Sequence, residues 1–148
     1  MTLAEQIEKD LVASLKGKEE LKLSVLRMAK AALMNKKIEL GKPVGDAEAI
    51  AVLRLLLKQR HDSVEAFRKG GREAAAQKEE AEIKILHAYM PAAASDSDID
   101  AAVAATLTES GATSAKDFGK VMKAVMAKLA DKNPDGKRVS EKVRAKLG

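Results

Sequence analysis

Side chains able to do covalent or acid–base chemistry are few in this chain. Its 148 residues include no cysteine, which removes thiolate catalysis, disulfides and cysteine-ligated metal. No serine lies in a G-x-S-x-G setting or beside a lysine in an amidase-like signature, and no G-x-x-x-x-G-K-[ST] loop is present for ATP. The two histidines, His61 and His87, fall on different predicted helices. His61 and Glu65 share a face at i,i+4, which is half a metal site with no further ligands to complete it. Glu79 and Glu82 also share a face, but Lys78 precedes Glu82 by four residues, the spacing of a helix-stabilising ion pair on a solvated surface. The expectation is no catalytic residue, no metal site and no cofactor.

What remains is glycine and positive charge. Gly119-Lys120 and Gly136-Lys137 open two short helical patterns. A glycine early in a helix costs about 1 kcal/mol relative to alanine. Close approach of another backbone, either a packed helix or a phosphate, is the usual compensation. Lys120 and Lys137 could meet such a phosphate, assisted by helix N-terminal amides; tight helix packing beside solvated lysines is the alternative. The chain carries a net charge of +5 and has a pI near 9.4. Residues 93–112 hold four acids and no Lys or Arg, whereas residues 113–148 hold ten Lys or Arg against four acids. The rest is near balance, so the basic character concentrates at the end.

If RNA is bound, the candidate contacts are Gly119, Lys120, Lys123, Gly136, Lys137, Arg138 and Lys142, with Arg144 beside them. Arg60, Arg68 and Arg72 form a second basic group where the third helix ends, although Arg68 and Lys69 are equally suited to pairing with Glu65 or Glu73. The aromatic residues are Phe67, Tyr89 and Phe118, and their periodicity points inward. Recognition would therefore be of RNA shape and backbone, without a base-stacking platform. The stripe Val121, Met122, Val125 and Met126 reads as core at helical spacing, with an adaptable partner groove as the alternative.

These residues need scaffolding, and the composition says of what kind. Hydrophobic residues make up 46% of the chain but aromatics only 2%, so the core must be aliphatic and the abundant Ala, Leu, Lys and Glu favour helices. Thr2 with Glu5 fits a capping box ahead of Leu3, Ile7, Leu11 and Leu15, a helix ending near Gly17. A second helix carries Leu21, Val25, Leu26, Ala29 and Leu33 and stops before Gly41-Lys42-Pro43. Asp46 suits the N-cap of a third, with Ile50, Leu53, Leu56, Leu57, Val64 and Phe67, closed by Gly70-Gly71. A fourth runs from about Arg72 to Tyr89 before Pro91.

Pro91–Ser95 reads as a linker. Ser95 with Asp98 caps a fifth helix (Ile99, Val103, Leu107) ending at Gly111. Ser114 with Asp117 repeats the capping pattern before Phe118–Leu129, and Asn133-Pro134-Asp135-Gly136 turns into a last helix with Val139, Val143 and Leu147. The expected fold is all-α: a four-helix N-terminal bundle over residues 1–92, then a small three-helix domain over 93–148. The N-terminus lacks a signal-peptide pattern and no apolar run reaches the ~18 residues of a membrane span. A cytoplasmic protein without a membrane partner is expected.

Three stretches together resemble a known family. Leu23-Ser24-Val25-Leu26-Arg27-Met28-Ala29-Lys30-Ala31-Ala32-Leu33-Met34-Asn35 is similar to the first signature of the YqeY (GatB/YqeY-domain) proteins. Lys58–Phe67 resembles the next signature, continuing through Lys69, Gly71-Arg72 and Lys78-Glu79-Glu80-Ala81-Glu82-Ile83 to Tyr89-Met90-Pro91. The last is Phe118-Gly119-Lys120-Val121-Met122, then Asp135-Gly136-Lys137 and Val139. The resemblance implies an all-helical protein similar to the tail of the GatB subunit of tRNA-dependent amidotransferase, a tail that contacts the tRNA body. It implies a noncatalytic tRNA-binding or tRNA-amidation accessory, with a protein–protein adaptor as the alternative. Family members also carry a label of carbon–nitrogen ligase activity with glutamine as amido donor. The segment Ala127–Pro134 departs from the family's shorter, glycine-containing loop.

Overall fold

Helix-forming composition gives helices throughout. The computed structural model describes residues 1–148 and contains no strand. Seven α-helices run in order: α1 (Leu3–Lys16), α2 (Glu20–Leu40), α3 (Asp46–Lys69), α4 (Glu73–His87), α5 (Asp96–Ser110), α6 (Phe118–Lys128) and α7 (Gly136–Leu147). Short 3₁₀ turns at Ala115–Asp117 and Ala130–Lys132 flank α6. The chain divides into two compact units, Met1–Met90 and Pro91–Gly148.

In unit 1, Ile7 of α1, Val25, Leu26, Ala29 and Leu33 of α2, Ala49, Leu53 and Leu57 of α3, and Leu86 of α4 share one core. Leu26, Leu53 and Leu86 are fully enclosed. Each such side chain contributes about 1.5–3 kcal/mol by leaving water. The spacing on α1 misleads at its end. A strict four-residue repeat rotates about 40° per step on a helix with 3.6 residues per turn, so by Leu15 the stripe has turned outward. Leu15 is 56% exposed, and Ser14 takes the inward place. The Ser14 hydroxyl is enclosed there without a hydrogen-bond partner.

The capping box at Thr2 and Glu5 is present. Asp46 acts differently from expectation. Gly45 occupies the N-cap of α3, and the Asp46 carboxylate instead accepts from the Leu3 N–H at 2.9 Å. One carboxylate thus serves an orphan amide of α1 while its charge sits in the first turn of α3, favourable at both places.

Unit 2 is built on Ile99, Ala102 and Val103 of α5, Val121 and Val125 of α6, Leu129, and Val139, Val143 and Leu147 of α7. The valines suit a small core because few rotamers are lost on burial. Ser95 and Asp98 form the second capping box, and Gly111 ends α5 in the left-handed conformation at φ 65°. Ser114 makes no cap bond; the chain enters α6 through the 3₁₀ turn instead. Pro91–Ser95 is tied into this unit: Ala94 is buried in its core, its N–H donates to the Asn133 carbonyl at 3.1 Å, and Asn133 Nδ2 donates to the Pro91 carbonyl at 2.8 Å.

The caps lend themselves to a direct check. Thr2→Ala and Ser95→Ala should each lower stability by about 1 kcal/mol in urea unfolding. The Ser95 hydrogen bonds hold the Asp98 carboxyl below its ordinary 3.8. A depressed carboxylate stabilises fully above its unfolded value and loses that contribution as pH falls through the lowered one, so the Ser95→Ala deficit should shrink in acid.

Candidate nucleic-acid interface

The cations of unit 2 divide into two sets. On α5, Asp96 and Asp100 lie one turn apart; on α7, Arg138 and Lys142 do the same. Arg138 pairs with Asp96, and Lys142 with Asp100 at 2.8 Å. Because both pairs form in the same order, α5 and α7 run parallel here. The Asp100 hydrogen bond raises the Lys142 ammonium above its ordinary value. Lys132 reaches Asp98 at 3.5 Å and Lys128 reaches Glu109 at 2.8 Å. All four acids of α5 are thereby matched, and the concentration of charge read from residues 113–148 is largely cancelled. Unit 2 holds ten Lys or Arg against eight Asp or Glu, a net +2.

The second set has no carboxylate partner. Lys116, Lys120 and Lys123 stand exposed around the start of α6; Lys120 and Lys123, three residues apart on the helix, fall on one side, and Lys116 precedes them in the 3₁₀ turn. Lys137 is exposed at the start of α7 and Lys146 at its end. Arg144 lies over the Phe118 ring at 5.0 Å from its centroid, a cation–π contact that orients the guanidinium while leaving the residue exposed. That contact puts the last turns of α7 beside the beginning of α6, so these two helices are antiparallel. Lys137, seven residues before Arg144, lies about 10 Å further along the axis. The two Gly-Lys pairs therefore stand toward opposite ends of the α6–α7 pair and do not converge on one phosphate.

Both glycines face open space. A Cβ added at Gly119 or Gly136 would meet nothing within 4 Å, so close helix packing does not account for either. The helix N-terminus at Gly136 is already occupied: the Asp135 side chain accepts from the Lys137 N–H at 3.0 Å. A phosphate arriving there would meet a carboxylate, which corrects the expectation of help from those amides.

The second basic group disperses. Arg60 is 7% exposed inside unit 1 and cannot reach a nucleic acid. Its Nη2 donates to the Met28 sulfur at 2.9 Å, its Nε lies 3.8 Å from Glu82, and that Nε has no hydrogen-bond partner. Glu82 thus forms its ion pair with a cation on α3, while Lys78 acts on it only at longer range. Burial, and then the charge of Glu79, push its carboxyl above the ordinary value against the opposing pull of Arg60 and Lys78. Arg68 is clamped by Glu73 at 3.2 Å and Glu80 at 2.6 Å, while Lys69 pairs with Glu65 at 3.4 Å. Arg72 alone of the three arginines stays exposed without a carboxylate, over the Phe67 ring at 5.2 Å.

Phe67 and Phe118 are half-buried and each presents a face to an arginine, where sequence periodicity pointed to burial. Tyr89 is held by its hydroxyl, which donates to Asp10 at 2.5 Å; burial and that bond raise its pKa. No set of three or more His, Asp or Glu side chains is placed to hold a metal ion, and both histidines are exposed. Lys116 was not among the sequence candidates; it lies in the 3₁₀ turn that leads into α6, where helical spacing does not apply.

Comparison with known proteins adds the following. The family described as Yqey-like protein matches residues 4–147. Altered inheritance of mitochondria protein 41, mitochondrial, of Lachancea thermotolerans is 33% identical over 106 residues, covering 70% of this chain and 57% of the relative. The protein of that name from Eremothecium gossypii is 31% identical over 87 residues, 58% of this chain and 48% of the relative. That of Pyrenophora tritici-repentis is 28% identical over 149 residues, 97% of this chain and 80% of the relative. The aligned region thus spans about half the length of the first two. No helix of the chain is long and apolar enough to cross a membrane.

Proposed function

We propose, from the premise that the chain belongs to the Yqey-like protein family over residues 4–147, that it is a noncatalytic accessory protein that binds structured RNA, with tRNA as the first ligand to test. One observation carries the reading: Lys116, Lys120 and Lys123 are exposed and unmatched by carboxylates, while every acid of α5 is engaged with another cation. Gly119 in the same stretch leaves its backbone open to approach. Lys137 and Arg144 extend the surface along α7 and would meet separate phosphates. The half-buried phenylalanines, each under a guanidinium, favour backbone contact over base stacking.

On this reading the RNA is recognised by shape, the compartment is the cytoplasm, and the chain serves tRNA amidation without performing it. Any glutamine-dependent carbon–nitrogen ligation belongs to another protein. A salt titration of tRNA binding tests the central claim. With three to five phosphate contacts, log K should fall against log salt with a slope of about −2 to −4. Absence of binding at low salt would sink the reading. Release of ammonia from glutamine by the purified chain would instead favour an enzyme.

A further inference from the structure

Unit 1 carries a groove of about 830 Å³ between the beginning of α1 and the second half of α2. Its lining includes Leu33 and Val44, which belong to the unit's core. Met34 and Ile38 also line it, one turn apart on α2 and 53% and 77% exposed. Aliphatic side chains that open, continuous with a core and set in a concave surface, are the signature of an interaction site. Met34 adds the adaptability of an unbranched thioether.

Charge selects the occupant. The groove's own acids are engaged: Glu8 pairs with Lys30 at 3.2 Å, and Glu5 accepts from the Thr2 N–H at 3.4 Å in the capping box. Lys37 and Lys42, also lining the groove, are exposed and have no carboxylate partner. An occupant must bring an apolar face and negative charge beside it. From Lys30 to the end of α2 the wall measures about 15 Å, close to three helical turns, and no strand edge is present to accept an extended segment. This chain's own acidic helix is a poor donor, because the apolar face of α5 lies in the core of unit 2 and its carboxylates are paired.

We propose that this groove docks an acidic amphipathic helix of a partner protein. The inference is independent of RNA binding and of the lysines on α6. It is tested with the full chain and two fluorescent helical peptides that share one apolar face, flanked by Glu in the first and by Lys in the second. Fluorescence anisotropy should show saturable binding of the Glu peptide and at least ~10-fold weaker binding of the Lys peptide, as opposed charges suppress the wrong partner. Ile38→Glu should weaken the Glu peptide by at least ~10-fold, the loss typical of a truncated or repelled apolar anchor. Lys37→Glu with Lys42→Glu should reverse the preference.

All three side chains are exposed, and circular dichroism checks that each variant keeps its helices. Equal binding of both peptides, no binding of either, or indifference to Ile38→Glu overturns the proposal. So does concentration-dependent self-association abolished by Ile38→Glu, which would give the groove to a second copy of this chain.

Discussion

Changing Lys116, Lys120 and Lys123 together to glutamate should lower tRNA affinity at low salt by at least ~100-fold and flatten the log–log salt slope by about 2 to 3, the share of three phosphate contacts. Changing Arg138 and Lys142 together to glutamine should alter affinity by less than about threefold, since matched cations release few counterions. Changing Lys120 and Lys123 together to glutamine, the same loss of two charges as in the Arg138/Lys142 variant, should still cost at least ~10-fold, a contrast that net charge alone does not produce. It follows from which cations α5 has already neutralised: Arg138 and Lys142 face Asp96 and Asp100, whereas the three lysines face solvent. Their exposure also means that the helices should persist, which circular dichroism can verify. Equal losses in the two charge-matched glutamine pairs would show that tRNA senses total charge and would remove the assignment to the α6 side. A larger loss in the Arg138/Lys142 variant would move the interface to the side of α7 that faces α5.

The other large effect concerns Arg60 in unit 1. Replacing Glu82 with leucine should destabilise the protein by about 1–3 kcal/mol at neutral pH: it strands an enclosed guanidinium that has only a thioether and a distant carboxylate for company, a loss offset in part by the desolvation that Glu82 itself no longer suffers. Replacing both residues, Arg60→Met with Glu82→Leu, should return stability to within about 1 kcal/mol of the parent, since a well-packed apolar pair often equals a buried ion pair. Urea unfolding of the parent, both single variants and the double variant closes the cycle.

The sign of the pH dependence follows from the same burial. The Glu82 carboxyl titrates higher folded than unfolded, so the folded state holds the proton more tightly. Its contribution to stability therefore rises as pH falls from neutral through the raised value toward its ordinary 4.5. Glu82→Gln should remove that component. A neutral or stabilising Glu82→Leu would show that Arg60 does not depend on this partner.

Local signals were legible in the sequence and distant ones were not. The two capping boxes are fixed by side chains three residues apart, so Thr2 with Glu5 and Ser95 with Asp98 form as their spacing predicts. Ser114 with Asp117 has the same pattern but falls in a 3₁₀ turn, a geometry that spacing alone does not distinguish. The apolar stripes of α6 and α7 emerge from helical period, as does that of α2 from Val25 to Leu33, but Leu21 at its start is 38% exposed, and Leu15 failed because four residues overshoot a turn. The site depended on contacts across long separations. Asp96 meets Arg138 and Asp100 meets Lys142, each 42 residues away, while Asp46 meets Leu3 across 43. No local rule finds such partners, so by sequence Arg138, Lys142 and Arg60 are as available as Lys120; Arg68 differs, since its pairing with Glu73 five residues on is a local one that the sequence offered.

The cancellation on α5 also bears on motion. With the acids of α5 matched and Lys116, Lys120 and Lys123 unmatched, positive charge is spread unevenly over unit 2 despite its net +2. On the proposed reading, a polyanion within a Debye length, about 8 Å at physiological salt, meets the lysine-bearing start of α6 more favourably than the matched α5 side before any atom touches. Collisions are then sorted by orientation, and the rate of association acquires a salt dependence of its own.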